Sequence, residues 1–279
     1  MPGKVYLVGA GPGAVDLITL RGAKLLAKAD IVFYDALVDS EMLTLCPQAQ
    51  LVAVGKRCGK LSSAQQFINK RLVDAAQKYQ TIVRLKGGDP MLFGRADEEL
   101  TALKEAGIDV EVVPGITAAL AGAASLQQSL TLREVSRSVA FVTLAKAENA
   151  AKRKNSMLQI SSPMAIPSAD TLVYYMGRKD AARIAQELIV QNQNHRSNTP
   201  VHILEAVSTP KERLWSSTLE ELAKGKADDW FDSSSPALIM IGEALRSSLN
   251  TANTSESSSS EIHDRLQNSS ILANGARRA

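Results

Sequence analysis

Val5-Tyr-Leu-Val-Gly-Ala-Gly-Pro-Gly13 is a short apolar run that breaks into a loop with glycine at every second position. A run of this kind reads as a strand buried on both faces. Glycines in the loop let a ligand approach the backbone closely.

Four similar runs follow, at residues 31–34, 51–54, 81–85 and 110–113. Between them lie amphipathic stretches at 20–29, 64–78 and 97–106. Continuous apolar strands separated by helices predict a parallel sheet covered on both faces. Pro114-Gly115 then breaks the pattern, and Thr117 stands where it could cap an alanine-rich helix. A second set of strands at 139–143, 172–176, 201–204 and 238–241 has longer connections and predicts a mixed sheet. The fold class is therefore α/β, with two α/β domains at 1–113 and 114–246. Residues 147–169 read as an exposed loop, with Lys152-Arg-Lys154 as solvated charge. Residues 247–279, rich in Ser, Thr, Asn and Ala, read as a disordered tail.

Composition removes several function classes. The net charge is only +3 and aromatics make up 4%, which points away from a nucleic-acid partner. Cys46 and Cys58 form no CxxC pair, as expected for a reducing compartment. His195, His202 and His263 are scattered, so no metal site is expected. No apolar stretch is long enough to cross a bilayer, and the N-terminal run is too short for a signal peptide; the expected location is cytoplasmic.

Read alone, the first loop leaves rivals open. Gly9-Ala-Gly-Pro-Gly-Ala14 fits a loose dinucleotide pattern, with Asp35 near the position of a ribose-binding acid. A methyltransferase of the Rossmann-like type fits as well. Against a dinucleotide, Pro12 removes an N–H that a pyrophosphate would use, and the expected helix cap falls late, at Thr19. The stretch Val83-Arg-Leu-Lys-Gly-Gly-Asp-Pro90 shifts the balance, because it places a second glycine turn at a strand end. Parallel sheets bind ligands beyond the carboxyl ends of their strands, so two such loops make one cleft.

With these motifs go Asp16-Leu-Ile-Thr19, Tyr34-Asp-Ala-Leu-Val38, Val54-Gly-Lys-Arg57, Phe93-Gly-Arg95, Val113-Pro-Gly-Ile-Thr-Ala118, Tyr175-Met-Gly177 and Pro236-Ala-Leu-Ile239. In this order they resemble the tetrapyrrole methylase family, from Val5 to about Gly242, nearly all of the chain that is expected to be ordered. The resemblance implies a cleft between two α/β domains, S-adenosylmethionine as methyl donor, and a homodimer. It implies cofactor contacts at Pro12, Gly87, Gly88, Asp89, Leu92, Thr117, Ala118, Met176 and Val207. It also implies Asp35 as proton acceptor and Lys56 as proton donor, with uroporphyrinogen III as the tetrapyrrole methylated.

Such a polycarboxylate needs cationic partners. Lys56, Arg57, Lys60, Arg95 and Arg133 are candidates, and Glu98 shares a helix face with Arg95. Arg95, Glu98 and Arg133 are the expected substrate contacts. The chain departs from the family pattern at Leu132, at Leu144-Ala145 and in Arg95-Ala-Asp-Glu-Glu99. These changes keep two further readings open: a methylase of another tetrapyrrole, and a binder of the cofactor without turnover.

Overall fold

The computed structural model describes residues 2–54, 61–144, 167–191 and 194–246. Lys56, Arg57, Cys58, Lys60, Ala145, Lys152-Arg-Lys154, His263 and the tail at 247–279 lie outside the described residues.

The first half contains β1 (Lys4–Gly9), α1 (Leu20–Leu26), β2 (Ile31–Tyr34), β3 (Gln50–Ala53), α2 (Leu61–Ala76), β4 (Thr81–Lys86), α3 (Ala96–Glu105) and β5 (Val110–Val113). Its strands run in the order β3-β2-β4-β1-β5, and every pairing is parallel. Strand residues point alternately to the two faces. Ile82 packs with Val5, Leu7 and Phe33 under Leu72 of α2 and Leu103 of α3. Val83 and Leu85 face the other way, with Val8, Val32, Leu26 of α1 and Met42 of a 3-10 segment. The continuous apolar strands thus serve two cores. Thr19 caps α1 as expected, its hydroxyl accepting from Gly22 N at 3.1 Å.

The second half contains α4 (Ala118–Leu126), β6 (Val139–Thr143), β7 (Thr171–Tyr175), α5 (Ala181–Gln191), β8 (Pro200–Glu205), β9 (Arg213–Thr218), α6 (Leu219–Ala223) and β10 (Ala237–Gly242). The strand order is β6-β7-β10-β8-β9, with β6 and β7 parallel and the rest antiparallel. One face packs on α5 and α6 through Tyr174, Ile203, Ile239, Ile184, Leu188 and Leu222. The other packs on α4 through Val173, Leu204, Leu238, Met240 and Ala119.

Three expectations need correction. The second sheet has a fifth strand, β9, that the sequence reading omitted. Its residues Arg213-Leu-Trp-Ser-Ser-Thr218 are exposed or half-buried at the sheet edge, so they lack the apolar density of an inner strand. The predicted loop at 147–169 ends too late, because Ala169 is buried in the core beside β7. Thr117 does stand at the N-cap of α4, but its side chain makes no capping bond to the helix.

Candidate active site

The two glycine loops and Pro114-Gly115 meet at the carboxyl edge of the first sheet. A Cβ added to Gly115 would lie 2.2 Å from Gly88 O and 2.8 Å from Gly9 Cα. The three loops therefore touch backbone to backbone, which only glycine permits there. Gly11 and Gly88 bond to each other in both directions, N to O at 3.2 and 2.7 Å. Asp89 fastens the arrangement: one carboxylate oxygen accepts from Gly115 N and the other from Met91 N, each at 2.8 Å. Gly88 has φ +68° and open space on its Cβ side.

This geometry weakens the dinucleotide rival. A dinucleotide loop aims free N–H groups from a helix N-terminus at the pyrophosphate. Here Gly11 N is engaged by Gly88, Pro12 has no N–H, and α1 starts only at Leu20.

The second half supplies the opposite wall. Tyr175, the last residue of β7, sends its hydroxyl to the start of α4. There it accepts from Ala119 N at 3.1 Å and shares a 2.6 Å bond with Thr117 Oγ1. That contact is why Thr117 does not cap its own helix. Burial pushes the Tyr175 hydroxyl above its ordinary pKa, against the opposing effect of those two bonds. The Tyr175 ring lies 5.1 Å from Phe93 and 6.1 Å from Phe141, between centroids. Met176 follows with φ +57° and is exposed.

The turn after β8 reaches back to the first loop. Ser208 Oγ accepts from Ala14 N at 3.1 Å, and a Cβ on Gly13 would meet Val207 O at 2.9 Å. Glu212 holds this turn by accepting from Ser208 N and from Ser125 Oγ. Phe93, Arg95, Met176, Ala206 and Ser208 all have positive φ without being glycine. Such strained residues concentrate at functional sites.

Of the expected acid–base pair, only Asp35 is described. It follows β2 and is half-buried, with Oδ1 accepting from Leu37 N at 3.0 Å and Oδ2 facing Arg84 at 3.8 Å. Arg95 and Glu98 form a bidentate pair at 2.7 and 2.9 Å, on side chains 39% and 37% exposed. Leu92 is half-buried on the same loop. Arg133 is exposed in a turn closed by Leu132 and Ser136, and Leu132 itself is exposed. The structure thus brings Pro12, Gly87, Gly88, Asp89, Thr117, Ala118, Met176 and Val207 onto the loops that meet in this region.

Similarity to known proteins agrees with the geometry. Residues 4–223 match the family of Tetrapyrrole (Corrin/Porphyrin) Methylases. A uroporphyrinogen-III C-methyltransferase of Pseudomonas aeruginosa is 41% identical over 250 residues, which cover 88% of this chain and 96% of that protein. The chain belongs to the tetrapyrrole methylase family. A sirohaem synthase of a Psychrobacter species is 39% identical over 88% of this chain, but the match spans only 48% of that longer protein. A crystal structure of a Thermus thermophilus uroporphyrin-III C-methyltransferase with S-adenosylhomocysteine superposes with a TM-score of 0.70. It is 36% identical, over 88% of this chain and 94% of that one.

The sequence reading of this tetrapyrrole methylase missed a buried charge cluster behind Asp35. Arg84, Lys86 and Glu99 are 3%, 4% and 0% exposed. Glu99 accepts from Arg84 Nε, Lys86 Nζ and Gln65 Nε2, each at 3.1 Å. Burial, and then the neighbouring Arg84 guanidinium, push the Lys86 ammonium below its ordinary pKa, while Glu99 and Asp35 raise it. A signal was present: Arg84 and Lys86 are two apart on the central strand, so they share one face with Ile82. Cations on a buried face demand a carboxylate. Tyr175 stands in the Tyr175-Met-Gly177 motif, and nothing in the sequence tells where its hydroxyl goes.

Proposed function

We infer that this protein transfers methyl groups from S-adenosylmethionine to carbons of uroporphyrinogen III, giving precorrin-2 by way of precorrin-1. The observation that carries the reading is the three-loop junction of Gly9, Gly88 and Gly115 facing the Thr117–Tyr175–Met176 wall. The relatives that match most of the chain are named for this reaction or for sirohaem synthesis. The reading extends to residues 1–113 and 114–246 as the two domains, to a cytoplasmic homodimer, and to a product that feeds sirohaem or cobalamin synthesis.

The residues suit the donor. Gly88 leaves open space where a side chain would stand, and Met176, next to Tyr175, presents an exposed thioether chain. The first N–H groups of α4 have no partners within the helix, so Thr117 and Ala118 offer donors at a positive helix end. Pro12, Gly87, Gly88, Asp89, Leu92 and Val207 complete the expected cradle. Among the described residues no His, Cys, Asp and Glu cluster could hold a metal.

When bound, S-adenosylmethionine supplies a methyl group on a positively charged sulfur, open to attack by an electron-rich pyrrole carbon. The loops would hold the donor against the acceptor carbon, and their contribution would be to orient the two and exclude water. The aromatic wall of Phe93, Phe141 and Tyr175 gives the macrocycle an apolar face. Arg95 and Arg133 receive its carboxylates, with Glu98 orienting the Arg95 guanidinium. After transfer, Asp35 takes up the proton that the methylated macrocycle loses. Lys56 is the expected proton donor.

Anaerobic incubation with S-adenosylmethionine and freshly prepared uroporphyrinogen III tests this. S-Adenosylhomocysteine and a doubly methylated macrocycle are expected; neither appearing would reject it. The exposed Leu132 favours a second reading, a different tetrapyrrole acceptor, which would show as faster methylation of another macrocycle.

A further inference from the structure

The buried cluster is placed to act on the site. It lies on β4, α2 and α3, directly behind Asp35 and under the loop that carries Leu92, Phe93 and Arg95. A Cβ on Gly94 would come 3.1 Å from Lys86 Cε. The Arg84 guanidinium faces two ways. Its Nε bonds the fully buried Glu99 at 3.1 Å, while its second terminal nitrogen lies 3.8 Å from Asp35 Oδ2. The remaining nitrogen bonds Leu85 O at 2.9 Å and Phe33 O at 3.4 Å, which fixes the plane of the group. Lys86 holds the other oxygen of Glu99 at 3.1 Å.

We propose that Glu99 and Lys86 are positioning residues for Asp35. They divide the Arg84 guanidinium between two carboxylates and so set how much of its charge reaches the proton acceptor. The proposal rests on the reading of Asp35 as that acceptor. Among the described residues, the groups concerned come from β4, α3 and α2. From β4, Arg84 lies in ion-pair range of Asp35 and Lys86 feels its charge. From α3, Glu99 faces both cations; from α2 come the neutral amide of Gln65 and the Arg71 guanidinium, which lies 5.5 Å from the Phe33 ring centroid without an ion pair to Asp35 or Glu99. Among the described residues, two cations and one carboxylate therefore form the hydrogen-bonded cluster behind Asp35. Removing the carboxylate should strengthen the field that favours ionised Asp35; removing the lysine should weaken it.

The test uses the full chain and the variants Glu99→Gln, Lys86→Met and both together. One readout is a carbon-13 NMR titration of the Asp35 carboxyl, assigned by its loss in Asp35→Asn. The other is the pH–rate profile of methyl transfer to uroporphyrinogen III. Glu99→Gln should move the Asp35 titration and the acid limb to lower pH, and Lys86→Met should move both to higher pH. The double variant, with the charge balance restored, should return near the parent. A merely structural cluster would lower activity in each variant without moving either curve. An Asp35 titration that stays fixed, or that moves the same way in both single variants, overturns the proposal.

If the titration moves as expected but the rate profile does not, the positioning stands and the proton-acceptor reading fails. Should a single variant not fold, Glu99→Asp keeps every charge and withdraws the carboxylate from Arg84. It should lower the Asp35 titration by a smaller amount, and an unmoved titration in that variant overturns the proposal equally.

Discussion

Gly115→Ala should disable the cofactor cleft while leaving the fold in place. The added methyl would lie 2.2 Å from Gly88 O, against 3.4 Å for ordinary contact. The Gly88 loop must then retreat by about 1 Å, and it cannot do so freely. Gly88 is bonded to Gly11 in both directions, and Asp89 ties the same loop to Gly115 N. Overpacking of this kind costs about 1–3 kcal/mol. Each 1.4 kcal/mol that falls on the bound geometry is about a tenfold loss of affinity. Calorimetry with S-adenosylhomocysteine should therefore show binding weakened about tenfold or more. Thermal unfolding should show a fall of a few degrees, at roughly 2–4 °C per kcal/mol for a chain of this size. Gly107→Ala is the control, since Gly107 has φ +68° and open space, and it lies beyond α3 away from the loops. It should lose about 1 kcal/mol of stability through backbone strain and keep its affinity. Parental affinity in Gly115→Ala would refute the claim that the three-loop junction shapes the cofactor site.

Other outcomes follow from the same geometry. Asp35→Asn should keep S-adenosylhomocysteine binding and lose turnover on the order of a hundredfold or more, read from steady-state kinetics. Tyr175→Phe removes the bonds to Thr117 and Ala119, so cofactor affinity should drop several-fold, for a loss of about 1 kcal/mol measured by calorimetry. Burial pushes both His195 and His202 below the ordinary value of 6.5. Their contribution to stability is therefore complete above about pH 6.5, and it is lost as the pH falls through their lowered folded values. The melting temperature should drop from about pH 7 to pH 5, and His202→Gln should shrink that drop.

The parts of the fold that were legible in the sequence are those where burial is continuous. β1 and β2 lie inside the parallel sheet with cores on both sides, so Val5–Val8 and Ile31–Tyr34 are unbroken apolar runs, while β4 between them breaks its run with the buried Arg84 and Lys86. β9 is an edge strand with exposed or half-buried residues, and hydrophobicity alone does not mark it. Thr19 was readable as a cap because its partner, Gly22, is local in sequence. Thr117 was not fully readable because its partner, Tyr175, is 58 residues away. The same contrast separates Arg95–Glu98, three residues apart on one helix turn, from the Arg84–Glu99 contact, which depends on how α3 settles on β4. The glycine loops are visible individually; their mutual contact at Gly115 depends on β4, β1 and β5 pairing side by side in the sheet.

The most direct measurement is carbon-13 NMR of the macrocycle after anaerobic incubation with uroporphyrinogen III and methyl-labelled S-adenosylmethionine. Two labelled methyl groups are expected, each bonded to a pyrrole carbon, with matching release of S-adenosylhomocysteine. A macrocycle recovered without label, from protein that still binds S-adenosylhomocysteine, would contradict it.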